Sequence, residues 1–151
     1  MVPGTDKSEL EPSTTQHRIV VGVDGSAESE RALEWAITQA QRSGAVLDIV
    51  TAWMFPMVIG YAFTTTVDEV RQAARDVVDR AITRVTEVAP DVVVRGDPTE
   101  QPPAPALVSA SEGADLLVVG SRGMGGFKEL LIGSVGHYCT RHSSCSVVVV
   151  R

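Results

Sequence analysis

Apolar residues fall along this chain in two rhythms, short unbroken runs and three- or four-residue steps, and the two alternate from one end to the other. Arg18-Ile-Val-Val-Gly-Val23 is an unbroken run, the mark of a strand buried on both faces. It ends at Asp24-Gly25-Ser26, where Ser26 is a good N-cap and Glu28 and Glu30 suit a first helical turn. Leu33, Ala36, Ile37 and Ala40 mark one face of that helix, and Ser43-Gly44 closes it with a glycine suited to a left-handed stop. A second strand is predicted over Ala45–Ala52. Thr66-x-x-Glu69 is a capping box opening a long helix, striped by Val70, Ala74, Val77, Val78, Ala81, Val85 and Val88 and ended by Pro90. Asp91–Arg95 reads as a third strand, with a turn at Gly96-Asp97-Pro98. A proline-rich stretch, Pro102–Pro105, leads into a short helix with Leu107 and Ala110 inward, stopping at Gly113. Ala114–Val119 is a fourth strand, a glycine-rich loop follows, a helix begins near Ser134, and Ser146–Val150 is a fifth strand.

Strands alternating with helices imply right-handed crossovers. The expected fold is therefore α/β, a single-domain, doubly wound five-stranded parallel sheet with helices on both faces. The domain is expected over residues 17–151, behind a disordered tail at 1–16. In such sheets ligands sit outside the carboxyl ends of the strands, where strand order reverses. The first and fourth strands are the expected neighbours across that point, which brings Asp24-Gly25-Ser26 and Gly120-Ser-Arg-Gly123 to one crevice.

Composition narrows the picture. Hydrophobic residues make up 44% of the chain with few aromatics, which suits an aliphatic core beneath helices. A net charge of −6 argues against nonspecific nucleic-acid binding, so an anionic ligand would need local donors. No apolar run approaches the ~20 residues of a membrane span. Met1–Gln16 is polar and lacks the apolar centre of a signal peptide, so a cytoplasmic location is expected. Cys139 and Cys145 are too few for a disulfide framework, and free thiols are expected. Trp53–Thr65 fits no regular pattern, yet it carries Phe55, Tyr61 and Phe63 beside Pro56 and Gly60. Connections of that kind serve as lids, binding loops or interfaces.

The candidate chemistry lies in Gly120–Ser134, a glycine-rich loop running from a buried strand into a helix. Glycines let the backbone approach a ligand, and a helix start adds free N–H donors and partial positive charge. The loop is neither a Walker A sequence nor a dinucleotide fingerprint, since Lys128 stands where a third glycine would fall. Two readings stand, a phosphate site and a flexible surface turn. Asp24 at a strand end either caps the first helix or accepts hydrogen bonds from a ligand. Arg122 and Lys128 either counter phosphate charge or are simply solvated. His137 and His142 are five apart and point to different faces of a helix, so they do not chelate one metal. No Ser-His-Asp arrangement or paired-carboxylate motif is evident, and no catalytic residue is assigned.

These residues together resemble the universal stress protein family. The likeness runs from about Arg18 to Arg151, carried by Val20-Val-Gly-Val-Asp-Gly-Ser26, Gly96-Asp-Pro98, Asp115-Leu-Leu-Val-Val-Gly-Ser-Arg-Gly123 and Gly133-Ser-Val135, with Cys145 before the last valine run. Ser146 departs from it, standing where many members have proline. The ATP-binding members carry G-x2-G-x9-G-[S/T], which here is Gly120, Gly123, Gly133 and Ser134. The resemblance implies a flavodoxin- or Rossmann-like sheet of the adenine nucleotide alpha-hydrolase type. It implies a site for ATP formed by Gly22, Asp24, Ala52, Gly120, Arg122, Gly123, Met124, Gly133, Ser134 and Val135. In that site Asp24 grips the ribose, Ala52 lines the adenine pocket and Met124 packs against the base. A bound triphosphate usually brings Mg2+.

The resemblance also implies a homodimer. The valine run Val147–Val150 at a sheet edge is either a seam for it, through antiparallel pairing of two copies, or an edge covered by the N-terminal tail, and the seam is the leading expectation. The leading expectation is an ATP-binding factor of the stress response. Three alternatives stand beside it: a weak ATPase or adenylyl transferase, a cyclic-AMP binder using the same pocket, and an interaction module docking through Trp53–Phe63. Gly120→Val and Ser134→Ala are both expected to weaken nucleotide binding with the fold intact.

Overall fold

A computed structural model describes residues 16–55, 64–123 and 132–151. Strands and helices alternate as β1 (Arg18–Gly22), α1 (Ala27–Ser43), β2 (Val46–Trp53), α2 (Val67–Val88), β3 (Val94–Glu100), α3 (Pro103–Ala110), β4 (Leu116–Gly120), α4 (Ser134–His142) and β5 (Ser146–Val150). The strands form one parallel sheet in the order β3-β2-β1-β4-β5. This is the doubly wound α/β fold expected, and its order reverses between β1 and β4.

Alternation along each strand divides the core into two layers. Ile19, Val21, Leu47, Ile49 and Val118 face α1 and α2, against Leu33, Ile37, Ala81 and Val85. Val20, Leu117 and Val119 face α3 and α4, against Leu107 and Cys139. Both cysteines are free, and burial pushes the Cys139 thiol up to about 11.

Local chemistry sets the ends of α1 and α2. Ser26 caps α1 by accepting from the Ser29 amide, and Gly44 closes the helix at φ 67°. Thr66 and Glu69 form the reciprocal capping box at the start of α2.

The third strand departs from expectation. It runs from Val94 to Glu100, so Gly96-Asp97-Pro98 lies within the strand and is not a turn after it. A Cβ on Gly96 would stand 2.8 Å from the Ile49 carbonyl oxygen and 3.2 Å from Val78, so the glycine serves close packing. Pro98 is tolerated because, among the described residues, β3 is an edge strand that pairs with β2 alone. The second strand likewise continues through Trp53, which is buried, with the Arg71 guanidinium 5.5 Å above its ring. Trp53 is thus part of the domain body and leaves the docking loop expected over Trp53–Phe63. The rest of that loop, 56–63, and the tail at 1–15 lie outside the described residues.

The two sheet edges differ. Along β3 stand Arg95, Asp97, Pro98 and Glu100, whereas β5 is serine followed by four valines.

At the opposite end from the crevice, Asp48 is held by two arginines. Its carboxylate accepts from Arg18 at 2.9 Å and from Arg95 at 2.5 Å, and Arg18 also donates to the Ala110 carbonyl. Burial pushes the Asp48 carboxyl up, but hydrogen bonds and charge from Arg95 and Arg18 outweigh it and hold it below its usual range. The folded state therefore favours the ionised form. That stabilisation is complete above the ordinary carboxylate value and fades as pH falls through and below it. Asp48→Asn is expected to lower stability by about 1–3 kcal/mol at pH 7. Circular dichroism melts at pH 7 and pH 3 should show the gap from the parent protein narrowing in acid.

The close approach of α1 to β4 has a sharper consequence. A Cβ on Gly120 would stand 2.9 Å from both the carbonyl carbon and the oxygen of Glu28. The obstacle is helix backbone, so α1 must shift to admit any side chain. Gly120→Val, expected from sequence to spare the fold, is not a clean site variant. Even Gly120→Ala is expected to cost about 1–3 kcal/mol, read as a lowered Tm in thermal melts.

Candidate functional site

At the reversal point β1 sends its helix to one face of the sheet and β4 sends its helix to the other, leaving a crevice between the two loops. A cavity of about 630 Å³ opens there. Gly22, Asp24, Ala52, Gly120, Arg122, Gly123, Gly133, Ser134 and Val135 all line it. Of the residues named from sequence, only Met124 is missing, because it lies with Lys128 outside the described residues.

The loop after β1 is tied into a small network. The Asp24 carboxylate accepts from the Ser26 amide at 2.9 Å and from the Ser26 hydroxyl, while the Asp24 amide donates to the Ser29 hydroxyl at 3.2 Å. Asp24 therefore does shape the start of α1, through its Oδ1. Its Oδ2 lies on the other side, 2.8 Å from where a Cβ on Gly123 would stand. The two loops meet at that point, and only a glycine lets the carboxylate keep its position.

The loop after β4 is fixed at both of its described ends. The Ser121 amide donates to the Val150 carbonyl at 2.7 Å, and the Gly133 amide donates to the Ser121 carbonyl at 2.6 Å. These two bonds bring the start of α4 alongside the end of β4. Gly133 occupies the N-cap of α4 and makes no side-chain cap bond. The first amide of α4 to find a carbonyl four residues back is that of His137, bonded to Gly133 at 3.0 Å. The amides of Ser134, Val135 and Gly136 precede it, and all three residues line the cavity. A helix start of this kind is a ready anion site.

The other helix that begins at the cavity has the opposite character. Pro103 and Pro105 of α3 carry no N–H, and the Ala106 amide is already bonded to the Pro102 carbonyl at 3.1 Å. Leu107, Val50 and Ala52 continue that side as an apolar wall, and Gly22 keeps it open. A Cβ on Gly22 would stand 3.0 Å from Leu107. The cavity thus has an apolar end under α3 and a donor-rich end at α4, with Asp24 between the loops.

Arg122 is the cation at the mouth among the described residues lining the cavity. It is not merely solvated, since its Nη2 lies 3.8 Å from Glu28 Oε1. Among the described residues no group of three or more His, Cys, Asp or Glu side chains is placed to hold a metal ion. No helix among them is long and apolar enough to cross a membrane.

The lining also includes residues not assigned to the site from sequence, among them Val50, Pro103, Leu107, Ser121 and Gly136. The signal for Val50 was its parity in β2, where even-numbered positions face α3. Leu107 was read as an inward core residue, which it is, but the same side chain also forms the cavity wall.

Comparison with known proteins agrees with this architecture. The universal stress protein family model matches residues 16–151. Universal stress protein Rv2623 of Mycobacterium tuberculosis is 34% identical over 149 residues, covering 97% of this chain and 49% of the relative, so the chain spans about half of that protein's length. Universal stress protein YxiE of Bacillus subtilis is 32% identical, with 89% of this chain and 99% of the relative covered. A crystal structure of a universal stress protein in complex with cAMP superimposes with a TM-score of 0.70 at 28% identity, covering 91% of this chain and 98% of that one. With the family pattern matched over nearly its whole length and the fold in agreement, the chain belongs to the universal stress protein family.

Proposed function

We propose that this protein binds adenine nucleotides in the β1–β4 crevice, with ATP as the full occupant, and acts as a nucleotide-dependent regulatory factor of the stress response in the cytoplasm. The observation that carries this reading is the contrast between the two helix starts at the cavity. The proline-bearing start of α3 with Leu107 and Ala52 suits a base, and the amides of Ser134, Val135 and Gly136, which no side chain caps among the described residues, suit phosphate oxygens. Asp24, between them, is placed to accept from ribose hydroxyls, and a carboxylate does so strongly. The cavity of about 630 Å³ falls within the range of small-molecule sites. Mg2+ would arrive on the phosphates of the nucleotide.

Cyclic AMP is the second reading, favoured by the cAMP complex of a relative 28% identical to this chain. It uses the same apolar end and Asp24, and it asks less of the α4 amides. Binding without dedicated hydrolysis is the simplest chemistry for these side chains, since no residue of the crevice is assigned as a general base.

Native mass spectrometry of the purified protein, followed by calorimetry with ATP and cAMP, tests the proposal. Asp24→Asn keeps one oxygen for Ser26 and is expected to weaken nucleotide binding by about tenfold or more. Gly123→Ala displaces the Asp24 carboxylate and with it part of the α1 cap, so it is expected to weaken binding with some loss of Tm, whereas Ser134→Ala removes only a hydroxyl and is expected to weaken binding with Tm little changed. Unchanged affinity in all three variants would overturn the assignment.

We further propose that two copies pair antiparallel along β5 through Val147–Val150, the edge that carries neither charge nor proline. Analytical ultracentrifugation at micromolar concentration is expected to give twice the chain mass, and a monomer there would refute the pairing.

A further inference from the structure

Glu28 lies in the first turn of α1, pressed against the end of β4, where a Cβ on Gly120 would meet its backbone at 2.9 Å. Its side chain is 21% exposed and does not line the cavity. Its Oε1 lies 3.4 Å from Arg31 Nη2 and 3.8 Å from Arg122 Nη2. The second distance is too long for a good hydrogen bond, so the pairing with Arg122 is Coulombic and loose. Arg122, in contrast, does line the cavity. A cation at the mouth is therefore shared between the ligand space and a carboxylate behind it.

We infer that Glu28 sets how strongly the crevice discriminates among adenine nucleotides by their charge, acting through Arg122 as a positioning residue. The inference rests on the nucleotide reading of the cavity and names the device that tunes it. Phosphate oxygens gain from Arg122 only what remains after the guanidinium is drawn from Glu28. Adenosine carries no charge and is indifferent to that competition. A cyclic phosphodiester carries a single negative charge and a triphosphate several, so the competition bears most on the triphosphate. Arg31 holds the other side of the Glu28 carboxylate and so limits its grip on Arg122.

Calorimetry with adenosine, cAMP and ATP on the parent protein, Glu28→Gln, Arg122→Gln and the double variant tests this, with thermal melts confirming that each is folded. Glu28→Gln is expected to tighten ATP by about two- to fivefold, cAMP by less, and to leave adenosine unchanged. In the Arg122→Gln background the same change should do nothing. Arg31→Gln supplies a second route if Glu28→Gln disturbs α1: it frees Glu28 toward Arg122 and is expected to weaken ATP relative to adenosine, an effect lost when Arg122 is also replaced. A gain for ATP that persists without Arg122 would mean only the loss of a nearby charge and would overturn the inference. So would equal shifts for adenosine and ATP, or unchanged ratios among the three ligands. If the parent protein binds none of them, the nucleotide reading itself falls; if it binds them with ratios insensitive to Glu28, only the present inference does.

Discussion

The structure depends on a place where two strand-to-helix loops approach too closely for any side chain between them. Gly120 lies against the Glu28 backbone and Gly123 lies against the Asp24 carboxylate, at 2.8–2.9 Å from the positions their Cβ atoms would take. Neither glycine adopts positive φ. Their role is absence of volume, not freedom of backbone. Packing of this kind brings the end of β4 to the start of α1, and it also sets Asp24 facing the loop that leads to α4. The fold and the crevice are consequences of the same contact.

From that contact follows a cavity whose two ends differ chemically. The difference arises mainly in the backbone. Prolines remove donors from the first turn of α3, while the glycine cap of α4 offers its first amides no side-chain acceptor, and no partner for them stands among the described residues. Helix α1 begins beside them but satisfies its own start through Ser26, Ser29 and Asp24. Of three helix starts near one crevice, one is closed by its own side chains, one loses donors to prolines, and one is left without a capping side chain among the described residues. A binding preference can thus be built with few charged groups, which agrees with a chain of net charge −6.

Much of this was legible in the sequence, and the failures are instructive. Unbroken apolar runs marked the buried central strands β1 and β4 directly, and the capping residues Ser26 and Thr66 placed the starts of α1 and α2 to the residue. The third strand was misplaced because Gly96 and Pro98 carry the local marks of a turn. Only the knowledge that β3 is an edge strand packed under α2 turns those marks into strand features. Trp53 was assigned to an irregular loop because propensity does not show where Arg71, far along the chain, will cover it. The residues named from the family pattern, Met124 apart, line one cavity. The reason for Gly120 was missed, since a clash with helix backbone depends on a contact with Glu28, nearly a hundred residues earlier. Glu28 itself read as a first-turn acid suited to the helix dipole, and its position behind Arg122 required the tertiary structure.

The unequal edges of the sheet carry one more consequence. A strand bearing Arg95, Asp97, Pro98 and Glu100 is a poor template for another chain, while one of four valines is a good one. A sheet so made can be extended from one side alone. If copies meet across their valine edges as proposed, only guarded borders face outward, and the residues that make β3 hard to recognise would stop such a sheet from growing into an endless ribbon.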